Sequence, residues 1–382
     1  MLAWLLLSGA QPVWAQLPGL DIPPENPITE EKRILGKILF WDEQLSSDNT
    51  IACGTCHIPS AAGSDPRMAT HPGMDGLLGT DDDVLGSLGI VRSDAADRYT
   101  PDPTFGFLAQ VTGRSTPPMI GSQWAPELFW DGRAGGQFFD PQTGLESIAD
   151  FGALENQAVG PPVGGVEMAH EARDWGQLTA KLAVVRPLWL ATDLPADVAA
   201  ALASQTTYPD LFAAAFGGDP SITAEHIAFA IATYERTLLP DQTPWDLWMA
   251  GDSGAMTQQQ IQGFNFLTIH TVCFNCHVPP LFTDNLFYNI GLRPSIEDLG
   301  RENVTGDPDD RGRFKTPTLR NVGLRPQLMH VGWVTDVQDS IHYYNAPAYP
   351  LYSNEGHTQF TDDQSGIPTS GSFLANYQDI NM

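Results

Sequence analysis

The sequence predicts a mainly α-helical fold with long loops and few strands, divided into two related domains. The chain has 382 residues, of which 42% are apolar and 17% are charged, a composition typical of globular proteins and a length that suits two domains. Apolar residues recur at helical spacing behind capping residues, whereas strand signals are weak throughout. A Cys-x-x-Cys-His motif occurs twice, each time between a predicted helix and a turn that contains proline, which indicates that both domains share one local plan.

Four helices are predicted from the spacing of apolar residues. Thr29 can cap the first helix, which precedes the first Cys-x-x-Cys-His motif, and Thr257 can cap the helix that precedes the second motif. The other two are predicted over 174–185 and 223–239, the latter ending before Pro240.

Three further segments lie outside the predicted helices. Residues 1–15 are mostly apolar and end in Val13-Trp14-Ala15, which predicts a secretory signal cleaved after Ala15, although a buried N-terminal helix is the alternative. Residues 65–116 are rich in Gly, Asp and Pro, and we predict a long ordered loop; their aspartates could bind calcium but do not match an EF-hand, which favours a solvated loop. Residues 346–382 are predicted to form an extended C-terminal tail.

The formal net charge of −27 argues against two classes of partner. Nucleic acids and anionic lipid surfaces both require basic patches, so we expect no nucleic-acid partner. No later stretch of unbroken apolar residues is long enough for a membrane span. A solvated acidic surface is the simplest interpretation of the charge, and a cationic partner protein or calcium is the alternative.

All four cysteines lie in the two motifs, Cys53-Gly-Thr-Cys56-His57 and Cys273-Phe-Asn-Cys276-His277. In this pattern the two thiols bond to the vinyl groups of a haem, and the imidazole that follows reaches its iron. Structural zinc is an alternative, but no second His or Cys pair follows at finger spacing. Disulfides would leave both histidines without a role. We therefore predict two covalent haem c groups, with His57 and His277 as the proximal iron ligands.

Further segments resemble the bacterial di-haem cytochrome c peroxidase family, which includes the MauG-like enzymes. They are Phe129-Trp-Asp-Gly-Arg133, Gln157-Ala-Val-Gly-Pro161 with Val166-Glu-Met168, Tyr234-Glu-Arg-Thr237 and Lys315-Thr-Pro-Thr-Leu-Arg-Asn321. The resemblance covers most of the chain after the predicted signal. It implies a mostly helical protein in which two cytochrome c-like haem domains face each other.

The resemblance implies that the first haem is high-spin and meets hydrogen peroxide. Glu167 matches the distal acid–base glutamate, which moves a proton from the near to the far peroxide oxygen as the O–O bond breaks. Gln157 and Pro161 match other positions of the distal pocket, and Trp130 matches the tryptophan between the two haems. Without the resemblance, Glu167 would be read as exposed, Gln157 as a structural hydrogen-bonding residue and Trp130 as a packing residue.

The resemblance implies that the second haem relays electrons. In ordinary members its sixth ligand is a methionine, fourteen residues after a histidine that matches His330. Tyr344 stands at that position here, as in MauG-like members, and a phenolate stabilises high-valent iron whereas a thioether raises the potential. We expect Tyr344 to be the distal ligand. A shift of one residue would exchange it for Tyr343, and simple packing of both tyrosines in the last helix is the alternative.

Three departures from the family pattern bear on the site. The segment 104–107 lacks the distal histidine that blocks the first haem in ordinary members, so we expect an open site, with His71 as the candidate substitute. Ser115 and Arg325 stand where calcium ligands are expected, so a calcium ion is possible but doubtful. Residues 134–156 are an enlargement that suits a partner-docking surface or a lid.

These observations predict an enzyme that is periplasmic or otherwise exported. Its parts are a signal peptide (1–15), an N-terminal peroxidatic haem domain (16–175), a C-terminal electron-relay haem domain (176–345) and the tail (346–382). By the resemblance, hydrogen peroxide produces a shared, bis-ferryl-type state that oxidises a side chain, most often Trp, of a partner protein. The alternatives are a peroxide-scavenging cytochrome c peroxidase fed by a small cytochrome, and an electron-transfer cytochrome without turnover.

Overall fold

The structure is a computed structural model that describes residues 16–67 and 69–345. The predicted signal peptide and the predicted tail lie outside the described residues. The α-helices are α1 (Glu30–Trp41), α2 (Cys53–Cys56), α3 (Ala153–Ala158), α4 (Trp175–Leu182), α5 (Ala196–Ser204), α6 (Tyr208–Ala215), α7 (Ala224–Arg236), α8 (Pro244–Met249), α9 (Gln258–His270), α10 (Cys273–Cys276), α11 (Glu302–Thr305) and α12 (Val337–Asn345). The mainly α-helical prediction is confirmed.

Eight short strands form four separate two-stranded antiparallel sheets within the described ranges. They pair in chain order, first with second, third with fourth, and so on. The strands are β1 (Ala69–His71), β2 (Val84–Gly86), β3 (Leu88–Val91), β4 (Ala109–Val111), β5 (Phe138–Phe139), β6 (Glu146–Ile148), β7 (Phe287–Tyr288) and β8 (Phe314–Lys315). Each strand has four residues or fewer, which is too short for a period of two to stand out in the sequence.

The segment 65–116 is therefore more regular than the predicted loop, because it contains β1 to β4. Its two sheets pack closely on neighbouring backbone. A Cβ atom on Gly86 would lie 2.0 Å from the carbonyl oxygen of Thr112, and one on Gly89 would lie 1.8 Å from that of Val166. Both strands can approach so closely only because these positions are glycine.

The predicted helix starts are confirmed by their caps. The side chains of Thr29, Thr223 and Thr257 each accept a hydrogen bond from the backbone N–H three residues on, which satisfies a donor that the first helical turn leaves free. Helix α7 ends at Arg236, earlier than predicted, because the residues that precede Pro240 turn back on themselves through 3.0 Å backbone hydrogen bonds.

The main hydrophobic core lies between α1 and α7 and extends over α4, α5 and α6. Gly36 lets the backbones of α1 and α7 touch, because a Cβ there would lie 1.8 Å from the carbonyl oxygen of Ala230. The predicted domain boundary after residue 175 falls inside this core. We propose that the first unit continues through α7 and that the second begins after Pro240.

The second unit, from α8 to α12, has little core of its own. Its hydrophobic cluster, among the described residues, contains three buried members, Leu292, Val331 and Tyr343. All thirteen residues of α9 are described and none is buried. Within the described residues no helix is long and apolar enough to cross a membrane.

Candidate active site

The first Cys-x-x-Cys-His motif forms one helical turn, α2, followed directly by His57. The ring Nδ1 of His57 lies 2.9 Å from the carbonyl oxygen of Gly63. A carbonyl can only accept, so Nδ1 carries the proton and Nε2 keeps its lone pair. This is the arrangement that orients an imidazole for a metal ion.

A cavity of about 640 Å³ opens beside this motif, within the range of about 300–1,000 Å³ that is typical of ligand and cofactor sites. The predicted site residues of the first haem meet there. Its lining includes Cys53, Cys56, His57, Trp130, Gln157, Pro161 and Glu167. These residues are spread over more than a hundred positions of the chain, and the sequence could bring them together only through the family resemblance.

Glu167 is held in the cavity by a tight turn. Its backbone N–H donates to the carbonyl of Gly164 over 3.1 Å, and a Cβ on Gly164 would lie 2.8 Å from the Glu167 carboxylate. Burial raises the pKa of Glu167, and the positive charge of Arg133 opposes that rise. A carboxyl group with a raised pKa can both take and return a proton near neutral pH.

Trp130 lies where the cavity meets the second unit. Its indole Nε1–H donates to the carbonyl of Ser115 over 2.8 Å, and its own carbonyl accepts from the N–H of Lys315 in β8 over 2.7 Å. Its ring centroid is 6.3 Å from that of His330, which in turn stacks on Phe314 at 3.6 Å. Trp130 thus begins a chain of aromatic rings that leads away from the first motif.

His71, at the end of β1, also lines the cavity. Its Nδ1 accepts a hydrogen bond from the backbone N–H of Gly73 over 3.1 Å. A neutral imidazole that accepts at Nδ1 carries its proton on Nε2. Burial keeps His71 neutral by lowering its pKa, against the pull of Asp82 and Asp83. In this tautomer the ring donates a hydrogen bond at Nε2 and has no lone pair there for a metal.

The second motif repeats the local plan of the first. It forms the helical turn α10, and the Nδ1 of His277 lies 3.1 Å from the carbonyl oxygen of Phe282. The Nε2 atom again keeps its lone pair. Both histidines are therefore prepared as ligands in the same way, by a backbone carbonyl five or six residues further along the chain.

Tyr343 and Tyr344 lie in α12, in the small core of the second unit. Tyr343 is 3% exposed, and its hydroxyl donates to the carbonyl of Ile290 over 2.7 Å. Tyr344 is half-buried and packs edge-on against Tyr343, with the ring centroids 5.4 Å apart. The phenol of Tyr343 is thus tied to the backbone.

The residues at the doubtful calcium position make other contacts. The Ser115 hydroxyl donates to the carbonyl of Met329 over 2.7 Å. Arg325 is buried, donates to the carbonyl of Arg320 over 2.7 Å, and burial lowers its pKa to about 10. No group of three or more His, Cys, Asp or Glu side chains suited to a metal ion occurs in 16–67 or 69–345.

The extra segment 134–156 forms the hairpin of β5 and β6 and the start of α3. Phe138 and Ile148 belong to the main core, and the neighbouring Phe139 and Leu145 are exposed. The inner face of this hairpin is thus a structural part of the first unit.

Two charged residues of the cavity, Glu235 and Lys315, stand in segments that carry the family resemblance but were given no role from the sequence. Glu235 is 4% exposed, and its Oε2 has no hydrogen-bond partner among the described residues; burial raises its pKa to about 8 against the charge of Arg236. Lys315 donates to the carbonyl of Glu127 over 2.7 Å, and burial lowers its pKa to about 8. Helical spacing could have identified Glu235, because it stands four residues after Ile231 and both line the cavity.

The residues present fit two haem groups. Each motif offers two thiols and an imidazole with a free Nε2, and the first lies against a cavity of suitable size. Buried polar atoms without a partner among the described residues include His330 Nε2, Arg325 Nε and Glu235 Oε2. Buried polar atoms normally have a hydrogen-bond partner, because leaving them unpaired costs free energy. Their presence here points to a bound group that supplies the missing partners.

Comparison with known proteins identifies the family. A family model described as di-haem cytochrome c peroxidase matches residues 30–254. The chain belongs to the di-haem cytochrome c peroxidase family. It is 30% identical to the methylamine utilization protein MauG of Methylorubrum extorquens over 324 residues, which cover 84% of this chain and 70% of that protein. It is 28% identical to the cytochrome c peroxidase Ccp of Escherichia coli over 356 residues, which cover 89% of this chain and 60% of that one.

Among solved structures, a MauG-like protein associated with microbial copper homeostasis superposes with a TM-score of 0.61 at 22% identity, over 99% of this chain and 95% of that chain. This likeness shows the fold. Membership of the family confirms the predictions of a peroxide-dependent oxidoreductase and of two haems of the c type.

Proposed function

We propose that this di-haem enzyme uses hydrogen peroxide to oxidise a side chain of a partner protein in the periplasm, with Trp as the first candidate. The observation that carries the proposal is the position of Glu167, a carboxyl group with a raised pKa, in the cavity that also holds Cys53, Cys56 and His57. A simple electron carrier has no use for such a group.

The proposed attachment places one haem on Cys53 and Cys56 with His57 as its proximal ligand, and the other on Cys273 and Cys276 with His277. Bound there, the haems would supply the redox chemistry, namely the reduction of peroxide and the storage of its oxidising equivalents. The remaining chemistry belongs to the side chains of this chain.

Glu167 takes the proton of the near peroxide oxygen and delivers it to the far oxygen, which leaves as water. Gln157 and Pro161 shape the same wall of the cavity, and the Gln157 amide can orient peroxide by hydrogen bonding. His71 donates from Nε2 and leaves the site open, because its Nδ1 is used by Gly73. Trp130 couples the cavity to the second unit through its contact with His330.

The tyrosines of the second unit favour partner oxidation over peroxide scavenging as the function. Tyr343 donates to the carbonyl of Ile290, and Tyr344 stands at the position where the family resemblance places the oxygen ligand of the second haem. An anionic oxygen donor stabilises the oxidised states of iron. The runner-up is a scavenger fed by a small cytochrome, which the similarity to the cytochrome c peroxidase of Escherichia coli favours. We propose that Arg325 supplies the positive charge at the position where calcium is doubtful.

The test compares Tyr344→Phe with Tyr343→Phe in the protein that carries both haems. We expect Tyr344→Phe to abolish the phenolate-to-iron charge-transfer band of the ferric optical spectrum and to shift the EPR signal of one haem. Tyr343→Phe, which removes only a hydrogen bond to backbone, serves as the matched control and should leave both spectra unchanged. Loss of the band in the Tyr343 variant alone would contradict the assignment.

The same samples separate the two functions. With peroxide and reduced small cytochrome c as the electron donor, the wild type should turn over slowly, and Tyr344→Met should turn over faster because a thioether raises the potential. Rapid turnover by the wild type would instead favour the scavenger.

A further inference from the structure

A tyrosine–carboxylate pair lies directly beside the second haem motif. The hydroxyl of Tyr288, in β7, donates a 2.8 Å hydrogen bond to Oδ2 of Asp284. The other carboxylate oxygen of Asp284 accepts the backbone N–H of Leu286 over 2.9 Å. The carboxylate is thus fixed in place with one oxygen directed at the phenol.

The same phenol reaches the site of haem attachment. The Tyr288 hydroxyl is within hydrogen-bonding reach of the Cys276 sulfur, which is one of the two proposed thioether positions. Tyr288 therefore lies beside one of the residues that would hold the second haem. Tyr288 is also half-buried, so the phenol connects the interior of the site with solvent.

The strand that carries Tyr288 also joins the two units. Tyr288 pairs with Phe314 across the β7–β8 sheet. Phe314 stacks on His330 at 3.6 Å, and His330 lies 6.3 Å from Trp130. Aromatic contacts therefore run from Trp130 through His330 to Phe314, and Tyr288 stands opposite Phe314 on the neighbouring strand.

Phenols are among the few side chains that can be oxidised by one electron in proteins, and their oxidation becomes easier when a base accepts the phenolic proton in the same step. Asp284 is such a base, aligned and within 2.8 Å. The pair also stands beside Cys276 and opposite the aromatic residue Phe314, a position that a purely structural hydrogen bond does not require.

We propose that Tyr288 is a redox-active tyrosine through which electrons from the substrate enter the oxidised second unit. The inference rests on the proposed function, because peroxide must first oxidise the two-haem unit. Tyr288 then gives that unit one electron and passes its phenolic proton to Asp284, which leaves a neutral tyrosyl radical. An electron from the substrate reduces the radical, and the proton returns from Asp284. One such cycle transfers one electron, so two cycles match the two equivalents of one peroxide.

The chain offers a matched control for the chemistry. Tyr208 in α6 donates a 2.6 Å hydrogen bond to Asp42, so it forms a second phenol–carboxylate pair. It is fully buried in the main core of the first unit. Tyr208→Phe and Tyr288→Phe therefore remove the same kind of hydrogen bond at two different places.

The experiment mixes the protein that carries both haems with one equivalent of peroxide, freezes it and records EPR spectra. The wild type and Tyr208→Phe should show an organic radical whose hyperfine structure changes when ring-deuterated tyrosine is incorporated. Tyr288→Phe should lose that signal, and Asp284→Asn should weaken it several-fold, because an amide cannot accept the proton. A spin trap followed by mass spectrometry should place the adduct on Tyr288.

Peroxide consumption is measured in the same samples. Consumption without a tyrosyl radical in the wild type, or with an equal radical in Tyr288→Phe, overturns this inference and leaves the proposed function intact. A loss of the signal that is equal in Tyr208→Phe overturns it as well. Absence of peroxide consumption overturns both proposals.

Discussion

The two Cys-x-x-Cys-His motifs have the same local structure but very different surroundings. Each forms one helical turn, and each is followed by a histidine whose Nδ1 is tied to a backbone carbonyl. The first turn, α2, packs against the main core, where a Cβ on Gly54 would lie 2.3 Å from the Trp41 ring. The second follows α9, in which no described residue is buried.

This difference indicates what each unit relies on for its stability. The first unit has a protein core between α1 and α7 that stands beside its cavity. The second exposes apolar side chains around its motif; Phe266 is 58% exposed, Ile269 70% and Leu286 56%. Covering a side chain of this kind stabilises a fold by about 1.5–3 kcal/mol. We infer that the haem of the second unit supplies the core that the chain itself lacks.

The largest effect is expected when the cysteines of one motif at a time are replaced. These variants test whether the second unit depends on its haem more than the first unit does. We expect the double variant Cys273→Ser and Cys276→Ser to lose one haem and to become sensitive to protease between α9 and α12. The double variant Cys53→Ser and Cys56→Ser should also lose one haem but keep its core between α1 and α7 resistant. The pyridine haemochrome gives the haem count, and limited proteolysis with mass spectrometry locates the cuts. Equal resistance of the second unit in both variants would show that it does not depend on haem.

The two units should also differ in their chemistry, because we expect peroxide to react in the first unit, beside Glu167. The variant Glu167→Gln tests this expectation. We expect the rate of the reaction with peroxide to fall by about 10²–10⁴, the usual contribution of a general acid–base group, with both haems retained. Stopped-flow absorbance gives the rate. Glu171→Gln is the matched control, because Glu171 lies four residues on with its side chain 62% exposed, and its rate should equal that of the wild type.

The pH dependence of that rate follows from the same carboxyl group. Burial raises the pKa of Glu167, and Glu167 must be unprotonated to accept the proton of peroxide. The ordinary pKa of a glutamate is 4.5. The rate should therefore rise with pH, with a midpoint above that pKa, and the Gln variant should lose this rise. A rise that persists in the Gln variant would assign it to another group.

Sequence reasoning was strongest where the cause is local. The caps Thr29, Thr223 and Thr257 act within one helical turn, so the helix starts could be predicted from the spacing of neighbouring residues. The short strands of 65–116 could not, because their pairing depends on partners such as Leu88 and Val111 that lie far apart in the chain.

The candidate site divides in the same way. The two motifs are contiguous and could be recognised by their residues alone, whereas the cavity joins Glu167, Trp130 and His57 from distant segments. The family resemblance supplied that grouping. It gave no role to Glu235, although Glu235 stands in one of the family segments; its burial on α7 leaves a carboxyl oxygen without a hydrogen-bond partner among the described residues. It also did not indicate the pair of Tyr288 and Asp284, which only three-dimensional contacts reveal.

The smallest effect is expected from replacing the one interior glycine in each of the two helices that precede the motifs, α1 and α9. In α1, Gly36→Ala would place a Cβ 1.8 Å from the carbonyl oxygen of Ala230 in α7, whereas Gly263 in α9 has no neighbouring atom within 4 Å of the corresponding Cβ among the described residues. Overpacking of the first kind costs about 1–3 kcal/mol. Alanine in an uncrowded helix stabilises it by about 0.5–1 kcal/mol. The free energies of unfolding in urea, measured on the protein with both haems, should therefore change in opposite directions. A destabilising Gly263→Ala would show instead that the second haem packs against α9 at that point, which would assign α9 to the haem-dependent core of the second unit.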